Sequence, residues 1–309
     1  MQDIKNSFTI FIKRIPTTKR IVMTEKLINY FEKQQQLFTE YYNESRKYYT
    51  INSVHEMRLC MKRLRALFIF FEALEPDVIS TKIMLSNFRK LFKQAGKIRD
   101  IQIQKKLALH LEQELNASFA EYIQFLNKSE KKAIRSFEKK MHGYEPKDDF
   151  DVLRTIIADT LSNYGTENIS ERGRDILYDK FSLVHKMTLE KLNTEQLHAI
   201  RTKLKQIAYL LKIWKDYEVV TQVIPADRSY LQGIEIKLGL WHDYVVAQTY
   251  ITKFIAAHQE ENPVPDQYAT ILKAVLKHKR SLAIVIKPQL KSLFENNNIG
   301  TMHVPDVEK

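Results

Sequence analysis

Two short stretches of this sequence carry histidine, arginine and lysine at one common spacing. Their residues are His55, Arg58, Lys62 and Arg65 in the first stretch and His198, Arg201 and Lys205 in the second. At about 100° per residue, the side chains of each stretch fall on one face of an α-helix. Arginine offers a planar fork of donors that suits phosphate oxygens, lysine a compact charge, and histidine a titratable donor. The pattern therefore predicts two rows of anion-binding side chains.

The helix that carries the first row is apolar around most of its circumference. Residues 54–71 contain no Gly or Pro, and Met, Leu and Phe side chains surround the row. This pattern predicts a helix that is buried on several sides. Buried cations are costly unless an anionic or hydrated group lies opposite them. Either acidic partners face the row, with long side chains covering the helix surface, or the row lines a cavity for an anion.

A common offset of 143 residues indicates an internal duplication. The three residue types of the first row recur in the second at this offset, from His55 to His198. About forty residues later, Gly96-Lys-Ile-Arg-Asp100 is matched by Gly239-Leu-Trp-His-Asp243 at the same offset. Chance rarely gives two separate motifs one offset, so the chain is interpreted as two repeats. The correspondence is incomplete, since Ala208 stands opposite Arg65.

Further basic residues are predicted to contribute to the same binding surface. They are Arg99 and His242, which precede the matched aspartates, the pairs Lys131 with Arg135 and Lys277 with Arg280 on the last helix of each repeat, and Lys212. The alternative for the pairs on the last helices is a solvated face. Lys212 is included because the second repeat lacks a counterpart of Arg65 and needs another cation.

The composition favours an all-α protein with an anionic partner. Only 7 Gly and 8 Pro occur in 309 residues, and helical periodicity extends almost throughout. The net charge of +12 and the pI near 9.4 favour a polyanion, a nucleic acid or an acidic membrane surface as partner, and charge alone does not choose among these. The lone Cys60 excludes an intrachain disulfide, and neither a signal peptide nor a membrane span is predicted. We expect a soluble cytoplasmic protein.

The helical pattern divides the chain into two repeats of four helices. Repeat one covers 24–145, a connecting helix 146–165 and repeat two 166–294, with an N-terminal arm at 1–23 and a C-terminal tail at 295–309. In repeat one, Ser53 is expected to cap the helix of the first row. The third helix is expected to end near Ala95, with Gly96 allowing a tight backbone approach or a bend. Gly96 and Gly239 are expected to allow close helix packing.

The sequence offers no clear catalytic or metal-binding motif. Asp100 and Asp243 are expected to orient basic side chains or cap helices, because a carboxylate beside an anion site repels its ligand. Neither His55 nor His198 has a His or Cys three or four residues away, so no metal site is predicted. We find no Gly-rich phosphate loop or nucleophile motif, and no cofactor is expected.

At these motifs the sequence resembles the CHAD family, the conserved histidine α-helical domain. The resemblance rests on Val54-His-Glu-Met-Arg58, Lys62-Arg-Leu-Arg65 and the motif from Gly96 to Asp100, and in the second half on Leu197-His-Ala-Ile-Arg201 and Leu238-Gly-Leu-Trp-His-Asp243. It implies two antiparallel four-helix bundles related by a pseudo-two-fold, with a basic central pore that binds inorganic polyphosphate. It also implies association with polyphosphate granules. The chain is interpreted as the type that lacks the triphosphate-tunnel (CYTH) domain found in some members.

Three functions remain open from the sequence. The favoured one is non-enzymatic binding of inorganic polyphosphate, with phosphate or sulfate ions able to take its place. The second is a general polyanion- or nucleic-acid-binding protein, which needs an open basic face with exposed aromatic side chains. The third is a phosphohydrolase, which needs a divalent metal and carboxylates to hold it. The sequence does not predict an oligomeric state.

Overall fold

The computed structural model describes residues 17–214, 228–259 and 266–295, and every regular element in these ranges is an α-helix. The helices are α1 (Thr17–Tyr48), α2 (Ile51–Leu74), α3 (Thr81–Met84), α4 (Ser86–Leu115), α5 (Ala120–Met141), α6 (Pro146–Asn163), α7 (Thr166–Leu189), α8 (Thr194–Ile213), α9 (Arg228–Gln259) and α10 (Asp266–Glu295). Most of the predicted N-terminal arm and C-terminal tail, residues 1–16 and 296–309, lies outside the described residues. No helix in the described ranges is both long and apolar enough to cross a bilayer.

Helix α2 lies at the centre of the molecule. It packs against α1, α4, α7 and α8, and twelve of its residues are buried, including Phe68, Phe70 and Phe71. The predicted burial of this helix on several sides is therefore confirmed. Cys60 also lies in this core, where burial raises the pKa of its thiol to about 11.

Helices that correspond in the two predicted repeats contact each other. Helix α2 packs on α8, and α4 packs on α9. Each row of basic residues lies on α2 or α8, and each Gly-to-Asp motif lies on α4 or α9. These four helices therefore bring both copies of both motifs to the middle of the molecule.

Two local expectations are wrong. Helix α4 runs without interruption from Ser86 to Leu115, so Gly96 causes no helix end and Asp100 lies well inside the helix. The cap of α2 is Thr50 rather than Ser53, since the Thr50 side chain accepts a hydrogen bond from the backbone N–H of Ser53 at 3.0 Å. The helix thus begins three residues earlier than a cap at Ser53 would place it.

Candidate polyanion-binding site

A cavity of about 450 Å³ lies between α2, α4, α8 and α9. We call it the central cavity. Its basic lining consists of His55, Arg58, Lys62, Arg65 and Arg99 from the first half and His198, Arg201, Lys205 and His242 from the second. Both basic rows of the sequence analysis therefore face one shared space, together with the residues that precede the two matched aspartates.

Helix geometry explains this convergence. The basic residues of α2 recur every three or four positions, so they form a single stripe along the helix. The equivalent stripe of α8 faces it, and Lys205 is the strongest charged influence on Lys62. Because the two stripes lie opposite each other and carry like charge, each makes it less favourable for the side chains of the other to be protonated.

Arg58 is held in place by two contacts with Phe92 of α4. Its Nη1 donates a hydrogen bond to the carbonyl oxygen of Phe92, and its guanidinium lies 4.0 Å from the centroid of the Phe92 ring. Gly96 provides the space for this arrangement, because a Cβ there would lie 2.7 Å from Nη1 of Arg58. The glycine therefore accommodates an arginine side chain, rather than allowing the close helix packing expected for it.

Arg201, the counterpart of Arg58, has different neighbours. Glu235 stands at the position that corresponds to Phe92, and its charge favours the cationic form of Arg201. At Gly239, the counterpart of Gly96, a Cβ would meet no atom within 4 Å. The first half thus holds its arginine by a ring and a carbonyl, whereas the second half surrounds its arginine with negative charge.

The cavity strongly disfavours additional positive charge. Burial, with Lys205, Arg58, Arg201 and Arg99, lowers the pKa of Lys62 to about 7. Burial also lowers the pKa of His242 to about 3, with Arg201 and His198 contributing, so this imidazole is neutral at pH 7. The pKa of His55 is lowered as well, by burial and Arg99. An anion in the cavity would relieve this repulsion.

Asp100 and Asp243 supply negative charge within the cavity lining. Burial raises the pKa of each carboxyl group, while Arg58 acts in the opposite direction on Asp100, and Arg201 on Asp243. Neither aspartate belongs to an ion pair within the described residues. Gln104 also links the helices here, since its Nε2 donates to the carbonyl oxygen of Asp243 at 3.3 Å.

Several nitrogen atoms at the cavity have no hydrogen-bond partner among the described residues. They are Nη1 of Arg99, Nε of Arg201 and Nδ1 of His242, all of which are buried. Buried polar atoms normally have a partner, and an unpaired one costs free energy. These positions are therefore suited to a ligand or to water.

The sequence profile of the CHAD domain matches residues 30–252. The chain belongs to the CHAD domain family. The predicted all-α fold is also confirmed by two solved structures. The crystal structure of the CHAD domain from the plant Ricinus communis aligns with 14% identity and a TM-score of 0.64, covering 87% of this chain and 91% of that chain. PptA from Streptomyces chartreusis aligns with 14% identity and a TM-score of 0.56, covering 88% and 98%. No curated protein sequence matches the chain.

Five of the basic residues predicted for the site of this CHAD domain do not line the central cavity. They are Lys131, Arg135, Lys212, Lys277 and Arg280, and all five are exposed. The paired basic residues of α5 and α10 correspond to the solvated face that the sequence left open as an alternative. Lys212 lies near the end of α8, with its Nζ 5.8 Å from the centroid of the Tyr209 ring.

Other residues of the lining were not predicted. Tyr209, Thr202 and Gln104 contribute polar atoms to the cavity. Burial, with Glu235, raises the pKa of Tyr209 to about 12, so its hydroxyl remains a hydrogen-bond donor. Tyr209 lies four residues after Lys205 on the same helix, and this spacing was the available signal.

Proposed function

We propose that this CHAD domain binds inorganic polyphosphate in the central cavity and catalyses no reaction on it. The observation that carries the proposal is the convergence of the two basic rows on one cavity, where burial and the neighbouring cations lower the pKa of Lys62 to about 7. A site with this excess of positive charge is matched by a ligand with several adjacent negative charges. Binding would then exchange the counterions of the chain for protein cations, as for other linear polyanions.

The lining favours a polyanion without bases. Phe92 and Tyr209 are the Phe and Tyr side chains of the cavity, and the Phe92 ring is already covered by the Arg58 guanidinium. Proteins that bind single-stranded nucleic acid without sequence preference combine a basic groove with aromatic rings that are free to stack on bases. A chain of phosphates needs the basic lining alone, which supports polyphosphate over RNA or DNA.

The two aspartates have a positioning role in this proposal. Asp100 favours the cationic form of Arg58, and Asp243 that of Arg201, although burial acts against both cations. Within the described residues, His, Cys, Asp and Glu form no group of three or more that could hold a metal ion. Release of orthophosphate from polyphosphate with Mg²⁺ or Mn²⁺ would overturn the non-enzymatic part of the proposal.

Calorimetric titration tests the site with a matched pair of variants. Long-chain polyphosphate, tripolyphosphate and single-stranded RNA are titrated at two salt concentrations into the wild type and into Arg58→Glu/Arg201→Glu. We expect tight, salt-dependent binding of the long chain by the wild type. The double variant should lose at least a hundredfold in affinity, since each buried charged contact contributes on the order of 1–3 kcal/mol.

The control variant is Lys33→Glu/Lys186→Glu, which makes the same change in net charge. Both lysines are exposed and neither lines the cavity. Circular dichroism should show that each variant keeps its helicity. Equal losses in the two double variants would show that net charge, not the cavity, determines binding. Equal affinity for RNA and polyphosphate would favour the general polyanion-binding alternative.

The cellular consequence of the proposal is association with polyphosphate granules. A fluorescent fusion of the wild type should localise to the granules, and the fusion of Arg58→Glu/Arg201→Glu should not. If both fusions localise to granules, localisation does not depend on binding in the central cavity.

A further inference from the structure

A second cavity, of about 490 Å³, adjoins the central one. We call it the side cavity. It lies between α2, α3 and α4, and Lys62, Arg65, Ile69 and Phe92 line both cavities. Two cavities with four lining residues in common have a shared boundary. The cations Lys62 and Arg65 therefore stand between the interior of the central cavity and a second space.

The side cavity has basic residues of its own, which the sequence analysis did not identify. Lys82 and Arg89 line it, and both are exposed. Among the described residues, neither forms an ion pair. The acidic residue of the lining, Glu72, accepts a hydrogen bond from the backbone N–H of Thr81 at 3.3 Å. The buried Oγ1 of Thr81, which also lines this cavity, has no partner within the described ranges.

A row of cations extends from the side cavity along the outside of α4. Arg89, Lys93 and Lys97 follow at intervals of four residues, and all three are exposed. This spacing places them on one face of the helix over about 12 Å. None of the three belongs to an ion pair of the described residues. We call these residues the α4 row.

The second half of the molecule has no equivalent of the α4 row. At the offset of 143 residues, Gln232, Ile236 and Leu240 of α9 replace Arg89, Lys93 and Lys97. Ile236 and Leu240 are exposed at 63% and 45% of their surface. The corresponding face is therefore uncharged and partly apolar, and it offers nothing to a polyanion.

We propose that a long polyanion leaves the central cavity on one side only, through the side cavity and along the α4 row. This inference rests on the proposed function and adds a direction to it. A short chain occupies the central cavity alone. A chain too long for that cavity continues past Lys62 and Arg65 to Lys82 and Arg89, and then contacts Lys93 and Lys97 at the surface. The α4 row therefore selects for chain length.

The test compares chain lengths in the variant Lys93→Ala/Lys97→Ala. These two lysines lie outside both cavities, so binding of tripolyphosphate should match that of the wild type. Long-chain polyphosphate should bind roughly threefold to tenfold more weakly at low salt, as expected for two exposed charge contacts. The slope of log K against log salt should fall by about one per lysine removed.

Lys33→Ala/Lys186→Ala is the matched control, since it removes two exposed lysines that lie outside both cavities. An equal loss of long-chain affinity in the two variants overturns the proposed exit, as does an equal loss for the long and the short chain in Lys93→Ala/Lys97→Ala. If the wild type binds neither chain, the proposed function itself fails. If the wild type binds both chains but Lys93→Ala/Lys97→Ala shows no difference between long and short chains, only the proposed exit fails and the proposed function stands.

Discussion

Lys62 is the residue at which the charge of the central cavity is most directly measurable. Its ammonium group is surrounded by Lys205, Arg58, Arg201 and Arg99, and these cations together with burial lower its pKa to about 7. An anion bound among the same side chains reverses their influence, because an opposite charge nearby favours the protonated lysine. Protonation of Lys62 and binding of an anion are therefore thermodynamically linked.

Proton uptake on binding follows from this linkage. At pH 8.5 Lys62 is mostly neutral in the free protein, so binding of polyphosphate should take up close to one proton. The affinity should accordingly decrease as the pH rises above about 7. Calorimetry in buffers of different ionisation enthalpy measures the uptake, and Lys62→Gln should lose most of it. An uptake of the same size in Lys62→Gln would assign the proton to another group.

The same pKa fixes the sign of a stability effect in the free protein. Between about pH 7 and pH 10 the lysine is protonated in the unfolded chain and neutral in the folded one. The unfolded state then binds more protons, so the free energy of unfolding rises with pH in this range. The contribution of Lys62 to the free energy of unfolding is thus smallest below pH 7. At that pH the lysine is protonated in the folded protein too, and its charge is disfavoured there by burial and by the neighbouring cations.

At the scale of elements, the position of the Arg58 guanidinium between α2 and α4 depends on one glycine. A methyl group at Gly96 would lie 2.7 Å from Nη1 of Arg58, and the guanidinium is the mobile end of a long side chain. Gly96→Ala should therefore displace the guanidinium from Phe92 rather than separate the helices. Alanine also has a helix propensity about 1 kcal/mol more favourable than glycine. We expect nearly unchanged stability in urea denaturation and a roughly tenfold loss of polyphosphate affinity, the effect of about 1.4 kcal/mol.

Gly233→Ala is the matched control for this prediction. Gly233 also lies inside a long helix, a Cβ there meets no atom within 4 Å, and the residue lines neither cavity. This variant should keep full affinity and become slightly more stable. Full affinity in Gly96→Ala as well would show that the position of the Arg58 guanidinium does not matter for binding.

The helices themselves were predictable because the chain contains few residues that interrupt them. The connecting helix expected over 146–165 corresponds to α6, and Pro146 marks the start of α6 as proline does at the first turn of a helix. The error at Gly96 has a physical reason. A glycine weakens a helix by about 1 kcal/mol but does not end it when tertiary contacts hold both sides.

The basic rows that line the central cavity were predictable, because residues that recur every three or four positions share one face of a helix. The side cavity was not. Its residues come from α2, α3 and α4 at irregular spacing, and Leu85 separates α3 from α4. No periodic pattern marks Lys82 and Arg89 as neighbours of Arg65, because their proximity depends on how three helices pack.

At the scale of the whole molecule, the two predicted repeats provide unequal halves of one site. Arg65 has no basic counterpart, and Arg99 is matched by a histidine whose pKa lies at about 3. The first half therefore contributes more positive charge to the cavity at neutral pH. The same difference holds at the surface. The first half has the α4 row there, whereas the corresponding face of α9 has no basic residue at the three matched positions.

The final prediction concerns the stability of the molecule as a whole. A chain with a net charge of +12 and facing basic rows is opposed by self-repulsion, which a bound polyanion removes. A ligand present at a hundred times its Kd stabilises the folded state by about 2.7 kcal/mol. At about 2 °C per kcal/mol, this raises the Tm by roughly 5 °C. Differential scanning calorimetry should show this rise with long-chain polyphosphate.

The control for this rise in Tm is the same measurement with orthophosphate at equal total phosphate concentration. Separate ions screen surface charge but do not connect the two basic rows, so they should raise the Tm less. In Arg58→Glu/Arg201→Glu the difference between the two ligands should disappear, whereas Lys33→Glu/Lys186→Glu should retain it. An equal rise with orthophosphate and polyphosphate in the wild type would mean that screening alone stabilises the fold. The central cavity would then hold single ions rather than a chain.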